Sequence, residues 1–168
     1  MKNAGLVNVV YNVSTPKMPL SGYAERSKFK LYLFDTGLLG ALLHVPSKII
    51  VEPTALFTEY NGAFIENFVA QELTVNRQDE LFYWTSKSDA EVDFLVQTEK
   101  GIEPLEVKSG LNRNKKSLRS YEAKYAPEFI YRLSPRNYIQ SENFINVPLY
   151  AVSFFNGENN LARMNQKQ

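Results

Sequence analysis

The sequence contains no cysteine in its 168 residues and a single histidine, His44. Without cysteine the chain forms no disulfide, offers no thiolate nucleophile and builds no zinc–thiolate site, which fits a cytoplasmic protein. His44 follows a short apolar segment that predicts a helix, and Pro46 prevents that helix from continuing. Because no serine–histidine–aspartate arrangement can recruit it, we interpret His44 as a helix-end residue rather than a general base.

Net charge and long apolar runs are also lacking. The 19 basic and 18 acidic residues give a net charge of +1, which excludes a globally basic nucleic-acid binder but permits a local basic groove. No apolar run reaches the length that spans a bilayer, so no membrane partner is expected. The first residues lead into no signal-peptide core, which argues against secretion. The nucleotide-binding pattern G-x-x-x-x-G-K-[ST] is absent too, so the chain carries no ATPase motif.

The most informative stretch is residues 88–108, SDAEVDFLVQTEKGIEPLEVK. It holds two β-type runs, EVDFLVQ and IEPLEVK, joined by a polar turn. Strand side chains change face at every residue, so Asp93 shares a face with Glu91, and Glu106 shares one with Lys108. If the two runs pair as a hairpin, three carboxylates and one ammonium group converge at the end of a sheet.

A fourth carboxylate precedes this hairpin on a predicted helix over residues 58–73. Helical spacing places Glu66 on one face with Val69 and Leu73, beside the apolar stripe. Two interpretations remain open for Glu66. Its carboxylate either faces the hairpin carboxylates or lies at the edge of the stripe and faces water.

The remaining elements give the order helix, three strands, helix, strand for residues 58–133. The aromatic pair Tyr83 and Trp84 could stack on bases, but a mid-strand position favours core packing. Strands are predicted over residues 5–13, 29–34, 81–85 and 129–133, helices from Asp35 or Thr36 to Leu43 and from 114 to 125, and a further apolar segment over 147–155.

The pattern of Asp93 followed by Glu106-Val107-Lys108 resembles the PD-(D/E)xK nuclease superfamily, also called the restriction-endonuclease-like fold. In that superfamily an aspartate ends one strand, Glu-x-Lys lies on the next, and a glutamate lies on a preceding helix, where Glu66 stands here. The resemblance implies an α/β fold with an αβββαβ core, in which helices flank a mixed central sheet.

A longer pattern covers most of residues 5–135 and is similar to the C-terminal domain of bacterial and archaeal AAA+ ATPases, domain of unknown function 4143. It comprises PLSGYAERSKFKLYLFDTGLLGAL, NGAFIENFVAQEL, LFYWTSKSDAEVDFLV and IEPLEVKSG. The resemblance implies three segments. Residues 1–28 are the tail of a winged-helix-like connector, truncated at its start, residues 29–155 form the nuclease-like domain, and residues 156–168 are a polar tail.

The nuclease resemblance also implies a reaction and a cofactor. Asp93 and Glu106 would bind Mg²⁺ or Mn²⁺, with Glu66 as a ligand directly or through water. Lys108 would stabilise the attacking hydroxide or the developing negative charge during phosphodiester hydrolysis. For Glu91, a second metal ion or an ion pair with Lys108 or Lys87 stays open. An ion pair between Asp93 and Lys108 on an inactive scaffold is the alternative for the site.

A basic cluster marks the start of the helix that follows the Glu-x-Lys strand. A cationic helix start suits phosphate groups, so nucleic acid, DNA in the first instance, is the expected partner, although a solvated basic face is the alternative. A non-catalytic nucleic-acid-binding or oligomerisation module, or a regulatory partner of the missing ATPase portion, is the alternative function. The cluster consists of Arg113, Lys115, Lys116 and Arg119.

Overall fold

The computed structural model describes residues 5–45, 55–77, 80–87, 89–110 and 116–155, and it shows a mixed α/β protein. An eight-stranded sheet lies between helices. The strands are β1 (Val7–Asn12), β2 (Glu25–Leu33), β3 (Leu81–Thr85), β4 (Glu91–Thr98), β5 (Gly101–Val107), β6 (Ile130–Ser134), β7 (Ile139–Ser141) and β8 (Phe144–Pro148). The α-helices are α1 (Thr36–Leu42), α2 (Ala55–Arg77) and α3 (Lys116–Tyr125), and 3-10 helices span Leu20–Tyr23 and Leu149–Phe154.

The strand order across the sheet is β2-β1-β3-β4-β5-β6-β8-β7. At the centre, β4 pairs antiparallel with both β3 and β5, and β6 pairs parallel to β5. On one side β1 pairs parallel to β3 and antiparallel to β2. On the other side β8 pairs parallel to β6 and antiparallel to β7. The α/β class and the mixed sheet with flanking helices, as predicted, are therefore confirmed.

Two apolar clusters lie on the two faces of the sheet, as the alternation of β3 shows. Leu81 and Tyr83 pack in one cluster, whereas Phe82 and Trp84 pack in the other. The first cluster includes Val69, Ala70 and Leu73 of α2, and the second includes Leu118 and Tyr121 of α3. The face covered by α2 is called the α2 face below, and the other is called the α3 face.

Local sequence explains the ends of several elements. Asp35, one of the two residues at which the sequence allowed this helix to begin, caps α1, because its side chain accepts a 2.7 Å hydrogen bond from the N–H of Leu38. The β4–β5 hairpin closes with Thr98 paired to Gly101, and Gly101 has a φ of +147°, where a side chain would be strained. The hairpin predicted from the polar turn is thus confirmed.

Some element bounds differ from those predicted. β2 begins at Glu25, so the domain boundary predicted between residues 28 and 29 falls inside this strand. α2 extends beyond the predicted 58–73 at both ends, from Ala55 to Arg77. The polar tail predicted over residues 156–168 lies outside the described residues. Within the described ranges, no helix combines the length and the apolar character needed to cross a membrane.

Candidate active site

A β-bulge determines where Asp93 points. Phe82 pairs with Leu95 and Trp84 pairs with Val92, so β4 has one more residue than β3 in this interval. The bulge breaks the strict alternation that the sequence predicted, since Val92 packs on the α3 face and Phe94 on the α2 face. A bulge re-aims side chains, and here Asp93 turns toward α2 and the end of β5.

The Asp93 carboxylate is fixed by the main chain of the neighbouring strand. Its Oδ2 accepts a hydrogen bond of 2.7 Å from the N–H of Val107, the middle residue of the Glu-x-Lys sequence. The side chain is buried, with an exposed fraction of 9% for the residue. Asp93 is therefore held at the position where β4 and β5 separate, next to the residues with which it was expected to act.

Burial raises the pKa of Asp93 to about 7, and the negative charge of Glu66 contributes to this increase. The N–H of Val107 and the positive charges of Lys30 and Lys108 lower the pKa in part. A buried carboxyl group beside a second carboxylate is stabilised by taking up a proton or a cation. The pair of Asp93 and Glu66 thus has the electrostatic character of a cation-binding site.

Glu66 reaches this position from α2, and a tyrosine of β2 orients it. The hydroxyl of Tyr32 donates a hydrogen bond of 2.9 Å to Oε2 of Glu66. Burial and the charge of Glu66 raise the pKa of Tyr32, so its hydroxyl remains a neutral donor. The half-buried Glu66 therefore acts on Asp93, on the side of the sheet where its helical position beside Val69 places it.

The carboxylate of Glu106 contacts cationic side chains, whereas that of Asp93 accepts from a backbone N–H. Nη2 and Nε of Arg132 lie 2.8 and 3.1 Å from its Oε2, and Nζ of Lys108 lies 3.3 Å from its Oε1. The side chains of Glu106 and Arg132 are each only 3% exposed. Leu105 and Val107 pack on the α2 face, so strand alternation directs Glu106 toward the α3 face.

Lys108 connects the two carboxylates of the hairpin. It contacts Glu106, and its charge lowers the pKa of Asp93. Its side chain is 36% exposed, so the ammonium group lies at the rim of the site. The charges of Glu66 and Lys108 thus both act on the buried Asp93, while Glu106 is held by Arg132 and Lys108. That Asp93 and Glu106 share one cation stays a prediction.

Besides Tyr32, β2 contributes Lys30 to this site. Lys30 forms an ion pair with Glu91. Of the roles left open for Glu91, the structure thus shows an ion pair, with a lysine that the sequence did not indicate. Burial lowers the pKa of Lys30, but the hydrogen bond and charge of Glu91, with the charges of Asp93 and Glu66, outweigh this effect and raise it overall.

The donor set is consistent with one hard cation. Glu66 and Asp93 offer carboxylate oxygens, which Mg²⁺ and Mn²⁺ prefer, and Asp93 is buried and beside another negative charge. The oxygens of Glu106 already contact two cationic side chains. In the described part of the chain, no three His, Asp or Glu side chains form a group that could hold a metal ion. The two residues that would hold such an ion are Glu66 and Asp93.

Only two residues of the predicted basic cluster lie in the part of the chain that the structure describes. Arg113 and Lys115 lie outside the described residues. Lys116 and Arg119 are exposed on the first turn of α3, and Arg119 Nη1 lies 2.6 Å from Oε2 of Glu122. Glu122 therefore offsets part of the positive charge at the start of this helix.

Two other predicted interpretations have clear outcomes. Trp84 has no exposed surface, and its ring packs edge-on against Tyr121 and Tyr125. Tyr83 is buried as well, so core packing is confirmed for the aromatic pair. His44 is exposed, with a φ of +50° just after α1. Its position at a helix end is confirmed.

Sequence reasoning missed Lys30, Tyr32 and Arg132. The first two alternate on β2, so a shared face was readable from the sequence. Their distance from Glu66 was not readable, because it depends on the parallel pairing of β1 with β3. Arg132 is the cross-strand neighbour of Glu106 on β6. An arginine between two apolar strand residues was a signal that it needed a buried acidic partner.

Comparisons with known proteins place the chain in a family. An 84-residue segment is 33% identical to an uncharacterised protein of Mycobacterium bovis and equally to one of Mycobacterium tuberculosis. The segment covers 49% of this chain but only 18% of each relative. No solved structure matches the chain. The family described as Domain of unknown function (DUF4143) matches residues 61–152, more than half of the 168 residues, and the chain belongs to this family.

Proposed function

We propose that this domain is a metal-dependent, nuclease-like module that acts on the phosphodiester bonds of nucleic acid. The observation that carries the proposal is the buried Asp93, which the N–H of Val107 in the Glu-x-Lys sequence holds in place and on which the charge of Glu66 acts. Three separate elements, α2, β4 and β5, supply these groups. Such convergence is typical of a site that binds a ligand rather than of an exposed charged surface.

The arrangement of the strands supports a core of the restriction-endonuclease type. In chain order α2, β3, β4, β5, α3 and β6 follow the αβββαβ pattern. The first three strands pair antiparallel, the fourth pairs parallel to the third, and α2 and α3 pack on opposite faces. The proposed site lies where β4, which carries Asp93, separates from β5, which carries Glu106.

Each side chain has a role in this proposal. Glu66 and Asp93 hold Mg²⁺ or Mn²⁺, which when bound supplies a nucleophilic water and offsets negative charge on the phosphate. The N–H of Val107 orients Asp93. Lys108, at the exposed rim, stabilises the anionic phosphate as it is attacked. Glu106 joins as a ligand only by giving up a contact with Arg132 or Lys108.

The partners follow from the same argument. The phosphate backbone, of DNA in the first instance, would lie along the exposed start of α3, where Lys116 and Arg119 offer cations. The mycobacterial relatives are much longer than the matched segment. This length leaves room for an AAA+ ATPase portion. We infer that the domain is attached to the C-terminal end of such a portion.

Cleavage assays test the proposal directly. The chain is incubated with single-stranded DNA, duplex DNA and RNA in Mg²⁺, in Mn²⁺ and in EDTA. We expect metal-dependent cleavage that Asp93→Asn abolishes, because the variant loses the carboxylate while its amide oxygen can still accept from Val107. The control Glu99→Gln removes an exposed carboxylate of the hairpin turn and keeps activity. Equal cleavage by wild type and Asp93→Asn would overturn the proposal.

The Arg132–Glu106 pair favours a second candidate function, a non-catalytic nucleic-acid-binding or oligomerisation module. A buried glutamate that already has two cationic neighbours is a weak metal ligand. This alternative predicts nucleic-acid binding or self-association without cleavage, and an affinity that EDTA leaves unchanged. Gel-shift and light-scattering measurements on the same samples distinguish the two functions.

A further inference from the structure

Lys30 differs from Lys28 on the same strand because it lies among the carboxylates of the site. It extends from β2 on the same face as Tyr32, with its Nζ 5.1 Å from the centre of the Tyr83 ring. Its side chain is 24% exposed, compared with 63% for Lys28 on the same strand. A lysine is rarely this shielded unless its charge is compensated.

Three carboxylates compensate this charge. Glu91 pairs with Lys30 directly, and the charges of Asp93 and Glu66 act on it as well. Of these three groups, Glu66 and Asp93 are the ones proposed to offer oxygens to a divalent cation. A fixed ammonium group among them repels such a cation, and it also occupies Glu91 as a potential ligand.

We propose that Lys30 is a built-in counter-cation of this site, which sets its affinity for a divalent cation and limits the site to one such ion. This inference rests on the proposed function in so far as Glu66 and Asp93 bind the cation. Lys30 acts through these carboxylates and is a positioning residue. β2 lies outside residues 61–152, which match the family, so the site extends beyond the matched segment.

Titration calorimetry with Mn²⁺ tests the inference without a substrate. Wild type binds one Mn²⁺ per chain. Lys30→Met binds Mn²⁺ about tenfold more tightly, because a nearby positive charge is removed. Glu91→Gln binds about tenfold more weakly, since the ammonium group of Lys30 is then shared between Asp93 and Glu66 alone. The double variant returns toward the wild-type affinity.

Two further variants exclude a purely structural effect. Lys30→Arg keeps the charge and retains the wild-type affinity. Lys28→Met removes an exposed lysine of the same strand, which pairs with Glu25, and leaves the affinity unchanged. Circular dichroism confirms that each variant is folded. These readouts separate the charge of Lys30 from a general effect of changing β2.

The outcomes separate this inference from the proposed function. If wild type binds Mn²⁺ and Lys30→Met binds it equally well, the inference is overturned and the proposed function stands. If Lys30→Met alone binds Mn²⁺, the inference is supported in its strongest form and the metal-dependent function fails. If neither protein binds Mn²⁺, both are overturned.

Discussion

Arg132 holds Glu106 through two nitrogen atoms, Nη2 at 2.8 Å and Nε at 3.1 Å, inside the sheet. Both side chains are almost fully buried, so neither charge is well solvated by water. A buried pair of this kind gives little net stability over an apolar pair, but the loss of one partner leaves an uncompensated charge. The pair therefore ties the third strand of the proposed core to the fourth.

The first prediction concerns this pair. Arg132→Met should lower the free energy of unfolding by about 3 kcal/mol, because it leaves the carboxylate of Glu106 buried with only Lys108 nearby. Urea unfolding at pH 7 measures the change. The double variant Arg132→Met/Glu106→Gln should lose less than the single variant, since no buried charge remains. A single variant as stable as wild type would contradict this account of the pair.

The pKa of Asp93 predicts a pH dependence of stability. Its folded value of about 7 lies above the ordinary 3.8, so the folded protein keeps a proton that the unfolded chain has lost. Because the folded state then binds more protons, this contribution to stability is fully present below about pH 4 and is lost as the pH rises to about 7. The loss reaches up to about 4 kcal/mol.

Asp93→Asn isolates this contribution from those of other groups. The stability difference between the variant and wild type should grow in favour of the variant from pH 4 to pH 7 and then level off. Thermal unfolding at several pH values measures it, with Glu99→Gln as a control at an exposed position. A difference that does not change with pH would mean that burial and Glu66 do not raise this pKa.

The hydrogen bond from Tyr32 to Glu66 supports a third prediction. Tyr32→Phe removes the hydroxyl and leaves Glu66 without this donor, so the free energy of unfolding should fall by about 1 kcal/mol. Mn²⁺ affinity should also fall, because Glu66 is no longer oriented toward Asp93. Tyr150→Phe is the control, since Tyr150 is 79% exposed. An equal effect of the two substitutions would exclude an orienting role.

The sequence was sufficient to predict the elements that form the candidate site. Alternation and turn residues located the β4–β5 hairpin, and helical spacing located Glu66 beside the apolar stripe, because these signals are local. The class of the fold was implied by the resemblance to the nuclease superfamily, with which the order of the elements agrees. These predictions depend on neighbours within a few residues, which one sequence shows directly.

What the sequence did not predict depends on strand pairing. The bulge that turns Asp93 toward α2 arises from a mismatch between β3 and β4, and nothing within EVDFLVQ reveals it. Lys30 is 61 residues before its partner Glu91, and Arg132 is 26 residues after Glu106. Such partners become visible only when the order and register of the strands are known.

The last prediction concerns the exposed start of α3. Each phosphate that a lysine neutralises releases condensed counterions, so nucleic-acid affinity should fall steeply as salt increases. Lys116→Ala should weaken binding similarly for all sequences and reduce the slope of log affinity against log salt by about one unit. Glu122→Gln should have the opposite effect on affinity, because Glu122 now neutralises Arg119.

Filter binding at several salt concentrations measures both variants, and Lys28→Met on β2 is the control for a general loss of positive charge. Binding that is independent of salt, or equal effects of Lys116→Ala and Lys28→Met, would exclude the start of α3 as the phosphate-binding surface.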